Sequence, residues 1–170
     1  MKNAISLSAS SPVFKLWVGL VLMLLLAEQE LFAQSLASTQ GLSFGSFIAS
    51  NGGSITVSPS GARSQSGTVG LLTSRGASSA AQFSFTGGAS GAAFSLGLPA
   101  DNAARLVLLS TPNLGGASMA LTQFVSSVGP SATLSLAGAK QFSVGATLLV
   151  QPNQPLGEYG ATFNVTVQFN

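Results

Sequence analysis

The 170-residue chain contains no cysteine and no histidine. Without cysteine the fold must hold without disulfides, and thiolate metal sites, cysteine nucleophiles and a lipid-modified N-terminal cysteine are excluded. Without histidine the chain lacks the commonest general base and the commonest ligand of transition metals. These two absences argue against nucleophilic catalysis and against a transition-metal centre.

Acidic residues are almost as scarce, because Asp101 and Glu158 are the only carboxylates beyond residue 33. Two carboxylates in one cleft can serve a glycosidase as acid and nucleophile. They make a weak calcium site, because calcium prefers about six to eight oxygen ligands. We interpret Asp101 as a turn residue and Glu158 as a solvated residue at the start of a strand. We therefore expect no enzymatic activity, no cofactor and no metal.

Basic residues are few and dispersed along the chain. Beyond residue 33 they are Arg63, Arg75, Arg105 and Lys140, which together with the two carboxylates give a net charge of +2. Proteins that bind nucleic acid neutralise phosphates with clustered lysines and arginines. The wide spacing of these four cations predicts that nucleic acid is not a partner.

The first 33 residues differ in pattern from the rest of the chain. Lys2 and Lys15 give a positively charged start, and an unbroken apolar run of twelve residues follows, Leu16–Ala27. A membrane-spanning helix needs about 20 apolar residues, whereas the core of a signal peptide needs about 7–15. We therefore predict that residues 1–33 are a signal peptide rather than an uncleaved membrane anchor.

Cleavage is predicted between Ala33 and Gln34, because Ala33 supplies the small residue needed at the cut. The remaining 137 residues suffice for one domain and contain no second long apolar run, so we expect no membrane span after cleavage. The protein is then expected in the periplasm, at the cell surface or outside the cell. Residues 34–41 are interpreted as a short N-terminal extension and residues 42–170 as a single domain.

Beyond residue 40 apolar residues recur with a period of two, which is typical of half-buried strands. The segments Gln82–Thr86, Ala93–Leu98 and Phe142–Val150 show this pattern, and a last strand is predicted from Tyr159 to Phe169. About eight to ten such strands, separated by turn signals, predict an all-β antiparallel β-sandwich of the immunoglobulin-like or fimbrial-subunit-like kind. A small β-barrel is the alternative.

Several of these segments together resemble the DUF4402 family, which consists of small exported bacterial proteins without an assigned function. The resemblance is carried by Ser79–Gly87, Phe94–Pro99, Phe142–Leu148, Gln154–Tyr159 and Phe163–Val167. It covers most of residues 40–170, and its most specific parts are the Val-Gly-Ala-Thr-Leu block and the closing strand. It implies an exported β-protein and supplies no catalytic residue.

The C-terminus resembles, more weakly, the subunits of chaperone–usher fimbriae. Phe163, Val165, Val167 and Phe169 alternate with polar residues, Phe169 is penultimate, and Gly157 is the fourteenth residue from the end. Such subunits pair edge strands with a periplasmic chaperone or with neighbouring subunits, and these are the partners that the resemblance implies. We expect the four alternating side chains to share one face of the strand and to point into the core.

The sequence favours a non-enzymatic structural or adhesive subunit of the bacterial envelope or of a fimbria-like surface structure, acting through β-strand pairing. The alternative is a small secreted β-sandwich module that binds a glycan or another envelope ligand. Such a module would use aromatic platforms, and beyond residue 33 the chain has no tryptophan and a single tyrosine, Tyr159. That scarcity favours assembly over ligand binding.

We predict that the mature protein isolated from its native host begins at Gln34 or within about two residues of it, because the cut follows a small residue after the apolar run. Mass spectrometry of the N-terminal peptide measures this start directly. Recovery of protein that still carries the segment from Met1 to Ala33 would contradict the prediction.

Overall fold

The structure is a computed structural model that describes residues 33–74, 76–109 and 117–169. The signal peptide predicted for residues 1–33 lies outside the described residues, except for Ala33. The described residues form strands, turns and loops without a helix, which confirms the all-β prediction. They accordingly include no helix with the length and apolar character needed to cross a membrane.

Fifteen strands lie within the described residues, and every pairing between them is antiparallel. In chain order they are β1 Ser35–Gln40, β2 Ser43–Phe44, β3 Phe47–Ile48, β4 Gly53–Val57, β5 Arg63–Gly67, β6 Gly70–Leu71, β7 Ser78–Ser79, β8 Ala81–Thr86, β9 Ala93–Gly97, β10 Arg105–Leu108, β11 Ser118–Ser126, β12 Ser131–Thr133, β13 Lys140–Val150, β14 Tyr159–Gly160 and β15 Thr166–Phe169.

Strand β13 is the longest of these and lies inside the larger sheet. One side of β13 pairs with β11, and the other side pairs with β8 along its first half and with β4 along its second half. Every second side chain is apolar, so one face of the strand can be buried along its whole length. The inward residues are at most 4% exposed: Phe142, Val144, Ala146, Leu148 and Val150.

The domain has two layers of strands. The larger sheet has the order β1-β8-β13-β11-β10-β14, with β4 and β5 continuing beside β13, and it ends in open edges. The second layer consists of the sheet β12-β9-β15 and the two-stranded sheets β2-β7 and β3-β6. Apolar side chains of the two layers pack together in three clusters. This arrangement is the antiparallel β-sandwich that the sequence predicts.

Phenylalanines fill the half of the sandwich where β8 faces the three-stranded sheet. Phe83 and Phe142 stack across neighbouring strands with ring centroids 5.3 Å apart. Phe94 on β9 is 1% exposed and packs in one cluster with Phe85 and Leu134. Aromatic pairs of this kind stabilise by about 0.5–1.5 kcal/mol beyond the area that they bury. The rings therefore hold the smaller sheet against the larger one.

The extension expected at residues 34–41 differs in the structure, because Ser35–Gln40 form β1 and pair with β8. All six side chains of β1 are exposed, so no apolar period marks this segment as a strand in the sequence. Its backbone hydrogen bonds hold it at the edge of the larger sheet. The compact unit that begins at Ala33 therefore includes this strand.

The strand expected from Tyr159 to Phe169 is divided into two. β14 ends the larger sheet beside β10, whereas β15 lies in the other layer beside β9. The chain crosses between the layers at residues 161–165, and exposed and half-buried side chains keep alternating from residue 162 onward. The period of two therefore continues through a crossover that the sequence pattern does not reveal.

The strands are closely packed around Gly145 on β13, because a Cβ at this residue would collide with the carbonyl oxygen of Val57 and with the following turn. Gly145→Ala should lower the free energy of unfolding by about 1–3 kcal/mol. Gly70→Ala is the control, since its Cβ meets only Ile48 at 3.8 Å, and it should change stability by less than about 0.5 kcal/mol. Urea denaturation measures both, and equal stability of the two variants would contradict the packing described.

Candidate functional site

A cleft of about 620 Å³ lies between two segments that are far apart in the sequence. One wall is formed within residues 42–47, which include β2, and the other within residues 154–161, which include β14. The floor is apolar, because the side chains of Phe44 and Leu121 are buried there. Ligand sites commonly measure about 300–1,000 Å³, so this cleft is the first candidate site.

The guanidinium group of Arg63 on β5 holds the first wall in place. Its Nη1 donates hydrogen bonds to the carbonyl oxygens of Phe44 at 2.9 Å and Ser46 at 3.3 Å, and its Nη2 donates to the carbonyl oxygen of Leu72 at 3.3 Å. Gly45 has a φ of +65°, and a Cβ there would lie only 2.6 Å from Nη1. These donors are directed into the protein, so Arg63 supports the cleft rather than presenting a charge to a ligand.

The second wall is a loop closed by hydrogen bonds of its own. The hydroxyl of Tyr159 donates to the carbonyl oxygen of Pro155 at 2.8 Å, and Gln154 Nε2 is 3.0 Å from the same hydroxyl. The backbone N–H of Leu109 donates to the carbonyl oxygen of Glu158 at 2.7 Å, which fixes the loop beside β10. Both walls are therefore built by the protein's own contacts before any ligand is considered.

The two carboxylates that the sequence singles out do not line the same cleft. Glu158 lines the cleft described above, whereas Asp101 does not. Asp101 Oδ1 accepts a hydrogen bond from the backbone N–H of Gln123 at 2.7 Å, at a register shift between Thr122 and Val125 of β11. Asp101 thus supports a bulge. The described residues contain no group of three or more side chains of the metal-binding types close enough to hold an ion.

The four alternating residues of the closing segment share one environment. Phe163, Val165, Val167 and Phe169 are half-buried and all pack against the buried clusters between the layers. Gly157 and Phe163 also line the cleft. Phe163 therefore belongs to both the core and the wall of the cleft.

Phe163 and Phe169 connect the layers through ring contacts. Phe163 lies between Phe83 and Phe124, with ring centroids 6.3 and 5.2 Å away. Phe169 lies in the same way between a phenylalanine of β8 and one of β9, at 5.2 and 6.3 Å. The C-terminal segment is thus a structural part of the core as well as an edge of the second layer.

The backbone groups of β9 show which side of β15 is open. The N–H of Leu96 donates to the carbonyl oxygen of Pro130 at 2.9 Å, on the side of β12. Successive residues of a strand direct their backbone groups to opposite sides. Ser95 and Gly97 therefore direct theirs toward β15.

The partners of Ser95 and Gly97 in the register of β15 are Gln168 and Thr166. These two residues consequently use their backbone groups within the sheet, whereas those of Val167 lie on the other side of the strand. Among the described residues no strand pairs with β15 on that side. β15 is therefore an open edge, and the amide of Val167 is on its open side.

Among the described residues a second open edge is formed by β1, which ends the larger sheet. The expected cleavage site, Ala33 and Gln34, lies directly before β1, and both residues are exposed. The sequence of this edge strand carries no apolar alternation, so its pattern does not predict a strand. The supporting role of Arg63 is equally hidden in the sequence, because an isolated arginine in a polar segment has the pattern of a solvated side chain.

Comparison with known families gives one result that covers the whole described domain. A family model described as "Domain of unknown function (DUF4402)" matches residues 35–169. The match begins at the first residue of β1 and ends at the last residue of β15. None of the curated proteins matches the chain.

Asp101→Ala should lower the free energy of unfolding by about 1 kcal/mol, because the N–H of Gln123 loses its acceptor. Asp101→Asn is the matched control, since its Oδ1 can still accept that hydrogen bond. Thermal and urea denaturation measure both variants. An asparagine variant as unstable as the alanine variant would show that the carboxylate charge, rather than this hydrogen bond, is what matters.

Proposed function

The chain belongs to the DUF4402 family, and we propose that it is a non-enzymatic structural or adhesive subunit of the bacterial envelope or of a fimbria-like surface structure. The subunit is exported, loses residues 1–33, and joins neighbouring subunits or a periplasmic chaperone through β-strand pairing. One observation carries the proposal: the first and last strands of the domain, β1 and β15, both lie at sheet edges.

Terminal edge strands suit assembly for a physical reason. An edge presents unpaired N–H and C=O groups that can template another strand, and a terminal strand can be paired or exchanged without threading the chain. Backbone hydrogen bonds then supply affinity, and alternate side chains supply specificity. The apolar side chains of Val167 and Phe169 already lie in the core, so a strand added beside β15 would extend an existing sandwich.

The composition of these edges supports the same proposal. Proteins usually protect edge strands from pairing with lysine, proline or bulges. β1 and β15 contain no charged residue and no proline, and Lys140, the only lysine beyond residue 33, lies on the interior strand β13. β1 has one register irregularity, between Ser38 and Gln40. Neither charge nor proline thus protects these two edges, and β1 has only this one irregularity.

The cleft favours a second candidate function, a module that binds a glycan or another envelope ligand. Its volume suits a small ligand, and Tyr159, Glu158 and Ser43 place an aromatic ring and polar groups along its walls. Saturable binding of envelope glycans by a protein that stays monomeric would favour this function over assembly. Assembly has the stronger support, because both edges lack charged residues and proline, and the hydroxyl of Tyr159 is engaged within its own loop.

Two proline variants test pairing at the edge of β15. Val167→Pro removes an N–H on the open side and replaces valine by a residue of similar volume, so the protein should stay folded while assembly decreases. Thr166→Pro is the matched control, because it removes an N–H that faces β9 and should lower the melting temperature clearly. Size-exclusion chromatography with light scattering measures assembly, and thermal melts measure stability.

The oligomeric state of the parent protein can contradict the proposed structural role. We expect it to form multimers on concentration or to be recovered in large assemblies from the envelope of its host. A parent that remains monomeric at every concentration and in envelope extracts would refute the structural role. A folded Val167→Pro protein that assembles like the parent would remove β15 from the contact.

A further inference from the structure

The N-terminal strand β1 contributes no buried side chain to the domain that it joins. All six of its residues are exposed, and its one large apolar side chain, Leu36, is 36% exposed. The strand is held by its ladder with β8 and by a hydrogen bond from Thr39 Oγ1 to the carbonyl oxygen of Gln82 at 3.2 Å. The same hydrogen bonds can form equally well with β8 of another copy, so exchange of β1 would lose none of them.

The acceptor strand β8 is held mainly by its other contacts. Its residues Ala81 and Phe85 are 1% and 4% exposed and pack against the second layer. On its other side β8 pairs with β13. Departure of β1 would uncover the hydrogen-bonding edge of β8 together with the side of Phe85 that Leu36 faces, and β1 of another copy would cover both again.

The backbone groups of alternate residues of β8 point toward β1. The N–H of Ser127 on the β11 side donates to the carbonyl oxygen of Ser143, so the neighbouring residue Phe142 directs its backbone groups toward β8. Phe142 opposes Phe83, which therefore faces β13. Ser84, the next residue of β8, therefore directs its N–H and C=O toward β1. If β1 left, the N–H and C=O groups of β8 that face it would lose their partners together.

The two ends of β1 allow it to move as a unit. At its C-terminal end the exposed glycine Gly41, a residue with wide backbone freedom, is tied by one hydrogen bond, from Ser79 Oγ to its carbonyl oxygen at 3.0 Å. At its N-terminal end only Gln34 separates β1 from the expected cleavage site, so the mature strand would begin almost at a free end. The polar, uncharged sequence of β1 also specifies its register weakly, which is a property of strands that swap between copies.

We infer that copies of this chain join by exchange of β1, with Ser35–Gln40 of one copy occupying the edge of β8 in another. This inference rests on the proposed structural function and names its partner, a second copy of the chain. Reciprocal exchange gives dimers, and one-way exchange gives longer assemblies. In both cases the strand order of the larger sheet is unchanged, because the new β1 takes the place of the old one.

Paired cysteines test the exchange, because the natural chain has none. Ala37 and Ser84 are directly opposite in the β1–β8 register, and opposite residues of an antiparallel pair have Cα atoms about 4.5–5.5 Å apart, within the reach of a disulfide. Ala37→Cys/Ser84→Cys protein is oxidised at high dilution, and the internally cross-linked monomer is isolated. It should no longer form multimers, and reduction should restore them.

A second cysteine pair is the control for the disulfide itself. Ser54→Cys/Ser66→Cys joins β4 to β5, which are also in antiparallel register, and leaves β1 free. This cross-linked monomer should assemble like the parent. If the Ala37–Ser84 cross-linked monomer also assembles to the parental extent, exchange of β1 is refuted while the assembly function stands.

Mixing two single variants tests directly whether the partner of β1 is β8 of a second copy. Ala37→Cys protein and Ser84→Cys protein are mixed, allowed to assemble and then oxidised. A disulfide between the two different chains is expected, because β1 of one copy lies on β8 of the other. Assembly of the mixture without that disulfide would overturn the inference, whereas a parent that never assembles would instead refute the proposed function on which it rests.

Discussion

Strand β13 is hydrogen-bonded on both sides, and the rest of the structure depends on this pairing. One side holds β11, and the other holds β8 and then β4, so a single strand of eleven residues joins all parts of the larger sheet. Its inward side chains also belong to more than one cluster, because Leu148 packs with Ile55 and Val57, whereas Phe142 packs with Ala81 and Leu96. Loss of β13 would therefore separate the sheet and open both halves of the core.

Because an interior strand joins the larger sheet, the strands at its edges are available to contact a partner. Among the described residues the larger sheet ends at β1, β5 and β14, and β15 is at an edge of the second layer. These peripheral elements carry what the domain can offer to a partner: two terminal edges without charge, and the cleft beside β14. The stable interior and the exposed edges are thus two consequences of one topology.

Burial determines how much of this could be predicted from the sequence. β8, β9 and β13 were predictable, because Phe85, Phe94 and Val144 face the core at alternate positions. β1 was not, because its side chains are exposed and it is held almost entirely by backbone hydrogen bonds. The division of the closing strand was not predictable either, since alternation persists through residues 162–165 while the chain changes layers. The cleft depends on Arg63, whose hydrogen bonds reach carbonyl groups remote in sequence.

We expect the sandwich around β13 to be firm and the terminal strand β1 to be loosely held. Hydrogen–deuterium exchange of the mature protein, followed by mass spectrometry of its peptides, tests this most directly, because exchange reports the free energy of local opening. The amides of residues 142–150 should exchange most slowly. Those of residues 35–40 should exchange much faster, although both segments are hydrogen-bonded in the sheet. Protection of β1 equal to that of β13 would contradict the account.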